Sequence, residues 1–304
     1  MIQRDTALDQ RQSWDSVANG WQKWWKAFEQ DAQKVNERLV ELAEIKEGDR
    51  VLDIATGIGE PAITAAKKVG TKGYVLATDI SPKMLSIAKQ RAATSLGLLN
   101  NIVEFREIDV GKIPADVMQQ FQSSPFDAVL CRWGLMFFPN LISTLINIYR
   151  LLSPRGRIAA AVWSEPVKVP KLYTAIDIVT RELGISSYSY SSSYSPDYTK
   201  ALSPFSLANI NTLKDALVEA GFRDISLEYL NVVFEFASAK DYTDFAMSII
   251  GPIQNMLASE TEKRKQEIHK AITDEVARKY TDDYMTKSSS IRMDNESICI
   301  AGRK

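Results

Sequence analysis

Apolar residues near the start of the chain recur at helical spacing. Trp14, Ala18, Trp21, Trp25 and Phe28 follow one another at steps of 4, 3, 4 and 3 residues, which is one face of a helix. The pattern predicts helix over residues 12–46 in two successive segments. The second carries Val35, Leu39, Leu42 and Ala43 on its apolar side and stops at Gly48. From residue 49 the rhythm changes. Short apolar runs at Val51–Ala55, Tyr74–Thr78, Val103–Arg106, Asp127–Cys131 and Arg157–Val162 read as strands. Between them Glu60–Val69, a segment capped by Ser81 and running to Leu96, and Leu141–Leu152 read as helices. Pro61 and Pro82 fall in first turns, where a missing N–H costs little. Such alternation predicts an α/β fold with a doubly wound, mostly parallel sheet covered on both faces.

Beyond Trp163 the alternation loosens. Val167–Leu183 reads as helix, Asn209–Ala220 as a helix closed by Gly221, and Ile225–Phe236 as a long strand. Residues 240–287 read as two or three helices and Ser297–Ala301 as a short final strand. The Ser/Tyr-rich stretch 184–204 reads as a loop or a substrate lid, with Tyr188, Tyr190 and Tyr194 offering hydroxyls.

Composition narrows the chemistry. The 37 basic and 38 acidic side chains nearly cancel, so no basic excess suits a nucleic-acid surface. Two cysteines, Cys131 and Cys299, are too few for a disulfide framework or a cysteine-rich zinc site. The single histidine, His269, lies in a charged run and reads as a solvated helix residue, which argues against a Ser-His-Asp triad or a multi-histidine metal centre. Lys263–Lys270 reads as a solvated helix face. MIQRDTALDQRQ does not read as a secretory signal, and no apolar run approaches the ~20 residues that span a bilayer. The expected location is the cytoplasm, with no stable membrane insertion.

The stretch that carries chemistry is Asp53-Ile-Ala-Thr-Gly-Ile-Gly-Glu-Pro61. A strand ends in a carboxylate, and a loop with Gly57 and Gly59 leads into a helix. Glycines there let a ligand approach the backbone closely. Asp79, which closes the second strand, lies 20 residues beyond Gly59, about the distance of a ribose-binding acid in dinucleotide folds. Its carboxylate can accept from both ribose hydroxyls. Ala62 holds the third-glycine position of the dinucleotide motif, which a looser form tolerates, so a nicotinamide-dependent oxidoreductase is one reading. Against it, Glu60 sits where a pyrophosphate would rest and repels phosphate while suiting the helix dipole. Asp53 likewise favours a cation. A phosphate-free, positively charged nucleoside fits better, and S-adenosylmethionine has those features.

DIATGIGEP, ATDISPKML, FREIDV, FDAVLCRWGLMFF and RLLSPRGRIAAAVW, in this order over residues 50–163, together resemble the class I S-adenosylmethionine-dependent methyltransferases. The similarity is greatest to the small-molecule branch that includes the ubiquinone/menaquinone-biosynthesis C-methyltransferases. It implies a Rossmann-like, seven-stranded sheet with an antiparallel last strand and a helical cap. Residues 1–47 would form an N-terminal helical lid and 48–165 the cofactor-binding core. The lid loop, a helix and the sixth strand would occupy 166–239, the cap insertion 240–288 and the final strand 289–304. It also implies that Asp53, Thr56, Gly57 and Gly59 line the methionine end, and that Asp79 holds the ribose hydroxyls. Ile80 and Met84 would flank the adenine, Asp109 would accept from its exocyclic amine, and the Val110 backbone would meet the ring edge. Arg132 and Trp133 would sit near the methionine portion and the acceptor.

The Trp14–Phe28 stripe is first a packing face. Its functional reading is an aromatic lid, Trp21 and Trp25 above all, closing over a sulfonium that ring faces attract. Trp24 lies off the stripe, toward solvent or the pocket. Glu165 and Tyr190 are the candidates for a base or acceptor contact, with a surface role as the plain alternative for Glu165. Asn-Pro-Pro-Tyr, used for planar amide or adenine nitrogens, is absent after the fourth strand, where Arg132-Trp133-Gly134-Leu135 stands. No carboxylate cluster suggests a catecholate metal site. The expected partner is therefore a small organic acceptor. A binding protein or non-methylating cyclase that keeps the same pocket is the reading from a different class.

Overall fold

The computed structural model describes residues 6–185, 203–280 and 290–304. Seven strands form one sheet: β1 (Arg50–Ile54), β2 (Tyr74–Asp79), β3 (Val103–Glu107), β4 (Phe126–Arg132), β5 (Leu152–Trp163), β6 (Arg223–Phe236) and β7 (Ile291–Arg303). Their spatial order is β3-β2-β1-β4-β5-β7-β6. β1 to β5 run parallel, and β7 inserts antiparallel between β5 and β6. The expected doubly wound sheet with an antiparallel last strand is the one observed. The order reverses between β1 and β4, and their carboxyl ends open the crevice where doubly wound sheets take ligands.

Ten helices are described: α1 (Thr6–Leu42), α2 (Ala62–Val69), α3 (Pro82–Leu96), α4 (Ala115–Ser123), α5 (Leu141–Leu151), α6 (Pro170–Glu182), α7 (Ile210–Glu219), α8 (Ala239–Ile249), α9 (Gly251–Leu257) and α10 (Glu262–Tyr280). The Ser81 hydroxyl caps α3 by accepting from Met84 N, as its sequence context suggests. The last three helices fall between β6 and β7, and α8 and α9 pack against α1. His269 on α10 meets Asp244 on α8 at 2.7 Å, so it is a helix-to-helix contact and not a purely solvated residue.

Two sequence expectations need correction. The N-terminal region is not two helices but the single helix α1, roughly 55 Å long at 1.5 Å per residue. Phe28, Ala32, Val35 and Leu39 continue one buried stripe through the supposed break. Glu29 and Asn36, which read as polar interruptions, are buried as well. The final strand is not the short Ser297–Ala301 but β7, 13 residues long. Its inward positions include Asn295 and Ser297, which a reading that equates polar with exposed takes for solvent-facing. Both are buried and satisfied. Asn295 Oδ1 accepts from Lys171 N, and Ser297 Oγ donates to the Val162 carbonyl.

α1 is fastened to the sheet by buried charge. Arg132, the last residue of β4, donates from Nη2 and Nη1 to the two Glu29 carboxylate oxygens at 2.6 and 2.7 Å, and from Nη1 to Asn36 Oδ1 at 2.8 Å. Burial alone would raise the Glu29 pKa. The adjacent guanidinium outweighs it and holds that carboxyl below the ordinary range. Breaking one side of a buried pair leaves a charge uncompensated, which costs about 3–5 kcal/mol. Glu29→Leu is therefore expected to lower the unfolding free energy by that much, read as a lower denaturant midpoint. Glu29→Leu combined with Arg132→Met should recover most of it. An unchanged midpoint in the single variant would show that the pair does not hold the helix.

Candidate functional site

The loop after β1 is bent by its own sequence. Thr56 N donates to the Thr78 carbonyl at 2.9 Å, which ties the loop to β2. Gly57 has φ +55° and Gly59 φ +105°, backbone that side-chain-bearing residues rarely adopt. A Cβ on Gly57 would meet no atom within 4 Å, so this glycine leaves open space beside the loop. A Cβ on Gly59 would press on Ile63 and Ala88 at 3.2 and 3.3 Å, so that glycine serves close helix packing.

The two strand-end carboxylates differ in position. Asp79 lines the cavity at the tip of β2. Its Oδ2 accepts from Gly57 N at 2.8 Å and its Oδ1 from Ser81 N at 2.9 Å. Burial pushes its pKa up to about 6, against the lowering effect of those N–H groups. Asp53 is fully buried and does not line the cavity, contrary to expectation. Its Oδ2 accepts from Thr56 Oγ1 at 2.6 Å and Ala62 N at 3.0 Å, which pins both ends of the loop. Its Oδ1 has no partner, and burial raises its pKa to about 8.

The cavity, ≈ 260 Å³, follows the strand tips. Thr56, Gly57, Asp79, Ile80, Met84, Asp109, Val110, Arg132 and Trp133 all line it. Among the described residues, Asp53, Gly59, Trp25 and Glu165 are the expected site residues that do not. Trp25 instead lies against the Arg91 guanidinium, 4.5 Å from its ring centroid, and packs with Ile58, Met84 and Ile87. Trp24 packs on Phe245 of α8 and does not line the cavity either. Asp109 accepts from Gly111 N at 2.9 Å and so caps the turn Val110–Lys112 while facing the cavity. Glu165 is exposed and away from the cavity, so a base role does not suit its position. Tyr188, Tyr190 and Tyr194 lie outside the described residues.

The other half of the cavity is aromatic. Trp133, with φ +54°, stacks on Trp163 at 4.1 Å with 14° between planes. Its indole N–H donates to Ser297 Oγ at 3.0 Å. From α1, Trp14 meets Phe137 edge-on at 5.1 Å, and Gln10 Nε2 donates to the Phe137 carbonyl at 2.7 Å. Trp21 packs edge-on against Phe28 at 4.8 Å and lines the cavity with its indole N–H unpartnered.

Sequence reasoning missed Lys171 and Trp163 as cavity-lining residues, and Glu60, expected at the start of the helix after the loop, lines the cavity too. Glu60 lies before α2 and accepts from Thr64 N at 3.1 Å and Thr64 Oγ1 at 2.8 Å; burial and nearby Glu29 raise its pKa. Nothing in the local sequence singles out Lys171, the second residue of an ordinary amphipathic helix. Among the described residues no group of three or more His, Cys, Asp or Glu side chains is arranged to hold a metal ion. No described helix is long and apolar enough to cross a membrane.

A switch-point cavity between a glycine loop and a strand-end acid defines a Rossmann-like nucleoside-binding protein, and comparisons specify the kind. Residues 45–181 match the family model "Methyltransferase domain". The chain is 30% identical over 213 residues to the ubiquinone/menaquinone biosynthesis C-methyltransferase of Pseudomonas savastanoi, covering 68% of this chain and 74% of that protein. It is 29% identical over 235 residues to the enzyme of the same name from Blochmanniella pennsylvanica, covering 73% and 80%. Among solved structures, phosphoethanolamine N-methyltransferase 2 of Haemonchus contortus, with S-adenosylhomocysteine bound, superposes with a TM-score of 0.51. That likeness covers 93% of this chain and 57% of the other at 16% identity, and it speaks for the fold. The chain belongs to the family of S-adenosylmethionine-dependent methyltransferases that contains these C-methyltransferases.

The residues present suit that cofactor. The open cradle at Gly57 and the carboxylate of Asp79 offer space and an acceptor to a hydroxyl-bearing, cationic nucleoside. Glu60, lining the cavity just before α2, opposes a diphosphate. If Asp79 accepts from the ribose, Asp79→Ala is expected to weaken S-adenosylhomocysteine binding by roughly 2–4 kcal/mol, read by calorimetry. An ionised carboxylate accepts more strongly than a protonated one. Affinity in the wild type should therefore hold above about pH 6 and fall as the pH drops below it. Asp79→Asn should lose that dependence, and an unchanged affinity in Asp79→Ala would remove Asp79 from the site.

Proposed function

We propose that this chain methylates a carbon atom of a small, apolar, planar acceptor by in-line displacement. The observation that carries this reading is the division of one cavity into two chemically different halves. One half offers the carboxylate of Asp79, the Gly57 cradle and the apolar Ile80 and Met84. The other presents Trp14, Trp21, Phe28, Trp133 and Trp163. Aromatic walls favour a flat apolar acceptor, and the similarity to enzymes named for C-methylation of quinone precursors supports carbon as the target.

In this reading Asp79 holds the ribose hydroxyls, and Ile80 and Met84 flank the adenine. Asp109 and the Val110 backbone meet its edge, and Thr56 and Gly57 border the methionine end. Asp53 and Gly59 hold the loop that does so. Trp21 and Trp133 border the acceptor, and α1 acts as the lid over both. When bound, the cofactor supplies a methyl group already activated on a sulfonium. What remains for the protein is to align the acceptor and exclude water, and alignment of this kind is worth about 7–11 kcal/mol. The near-neutral charge balance supports a small-molecule partner over a nucleic acid. A cytoplasmic enzyme is the setting this suits.

Two measurements test the reading. S-adenosylhomocysteine is expected to raise the melting temperature while NADH leaves it unchanged; the reverse would favour a dehydrogenase. Incubation with S-adenosylmethionine and a panel of phenols and other flat apolar ring compounds should yield, by mass spectrometry, a product heavier by one CH₂ unit. Cofactor binding without any such product across the panel would favour a non-methylating member of the fold.

A further inference from the structure

Lys171 is the second residue of α6, and its side chain is almost wholly buried, 1% exposed, at the wall of the cavity. The amine is surrounded by rings. Nζ lies 3.6 Å from the Phe234 centroid, 4.5 Å from Phe28, 4.6 Å from Trp163 and 5.4 Å from Trp133. Among the described residues it has neither a hydrogen-bond acceptor nor a carboxylate at ion-pair distance. The charged groups facing it are few. Glu29 of α1 is engaged by Arg132 of β4. Asp31 of α1 accepts from Glu235 N of β6 at 3.2 Å, and Glu235 pairs with Arg292 of β7 at 3.1 Å.

Magnitudes decide the resting state of this amine. Moving an ammonium out of water costs several kcal/mol. A ring face returns about 0.5–2 kcal/mol. The partial positive charge at the start of α6 and the nearby guanidinium of Arg132 both oppose a further cation. Burial first, then Arg132, hold the lysine well below its ordinary range, while Asp31 and Glu29 act weakly the other way. Burial thus favours the neutral amine, whose lone pair lies beside the aromatic half of the cavity.

We propose that Lys171 is the base of this methyltransferase, taking the proton of a hydroxyl on the ring that is methylated. The inference rests on the methyl-transfer reading above and names a catalytic residue for it. Nζ takes the hydroxyl proton, and the O–H electron pair stays on oxygen and spreads into the ring. The ring carbon then donates an electron pair to the methyl carbon as the methyl–sulfur bond breaks, its electrons leaving on sulfur. The ring C–H proton passes to water, its electrons restore aromaticity, and the Nζ proton returns to the oxygen. The ammonium formed in the first step faces the new oxyanion and the surrounding ring faces, so it is stabilised only when an acceptor is present.

The test uses para-nitrophenol, whose ionised form absorbs at a longer wavelength, bound to full-length protein saturated with S-adenosylhomocysteine. In the wild type, bound probe is expected as phenolate at pH values where free probe is protonated, a shift of at least about tenfold in its ionisation constant. Calorimetry of the wild type in buffers of different ionisation enthalpy should show no proton released to the buffer, because the proton stays on Nζ. In Lys171→Met and Lys171→Gln the bound probe should titrate like free probe, while S-adenosylhomocysteine affinity stays within about twofold and melting remains cooperative. Equal ionisation in wild type and variants, proton release to buffer, or no binding of the probe by the wild type would each overturn the proposal. Should S-adenosylhomocysteine fail to bind the wild type, the methyltransferase reading itself falls. If it binds while probe ionisation ignores Lys171, only the present inference falls.

Discussion

The guanidinium of Arg132 bears on nearly every other feature of the molecule. It ends the central strand β4, at the point where strand order reverses, and it binds both oxygens of Glu29 and the amide oxygen of Asn36 on α1. A long helix is thereby held across the carboxyl ends of the strands, and what would be an open crevice becomes a walled cavity. The same helix brings Trp14, Trp21 and Phe28 to the aromatic half. Burying a charge pair is rarely a gain in stability over apolar packing. Its value here is register: only one rotation and one height of α1 satisfy Arg132, and that placement fixes three aromatic walls.

A second layer of buried polar groups shapes the cofactor half. Asp53 spends one oxygen on Thr56 and Ala62 and so holds the loop from behind, while Asp79 accepts from Gly57 N and faces the cavity. The division follows from depth. Asp53 lies inside the sheet, with β2 and β4 on either side, whereas Asp79 ends its strand and caps the approach to α3. The two acids look alike in sequence, yet one holds the loop and the other lines the cavity.

The fold was legible from the chain because its signals are local. Alternating apolar strands and amphipathic helices between residues 49 and 163 specify a parallel sheet, and Gly57, Gly59 and Asp79 stand at spacings that their backbone geometry requires. The two misread element bounds share one cause. Glu29, Asn36 and Asn295 are polar residues at buried positions, so a pattern that equates polar with exposed split α1 in two and shortened β7; Ser297 is buried likewise. Their partners, Arg132, Lys171, Trp133 and the Val162 carbonyl, lie far away in the chain.

What the sequence determined by itself is the sheet, the glycine loop and the acid at the tip of β2, each fixed by near-neighbour periodicity and backbone conformation. Tertiary structure alone decided which aromatic residues face the cavity, sending Trp21 inward and Trp25 to Arg91 although both share one helical stripe. It also decided that Lys171 is buried among rings from α1, β5, β6 and Trp133 just past β4. The state of such an amine depends on the dielectric and charges assembled around it, and those come from segments that only folding brings together.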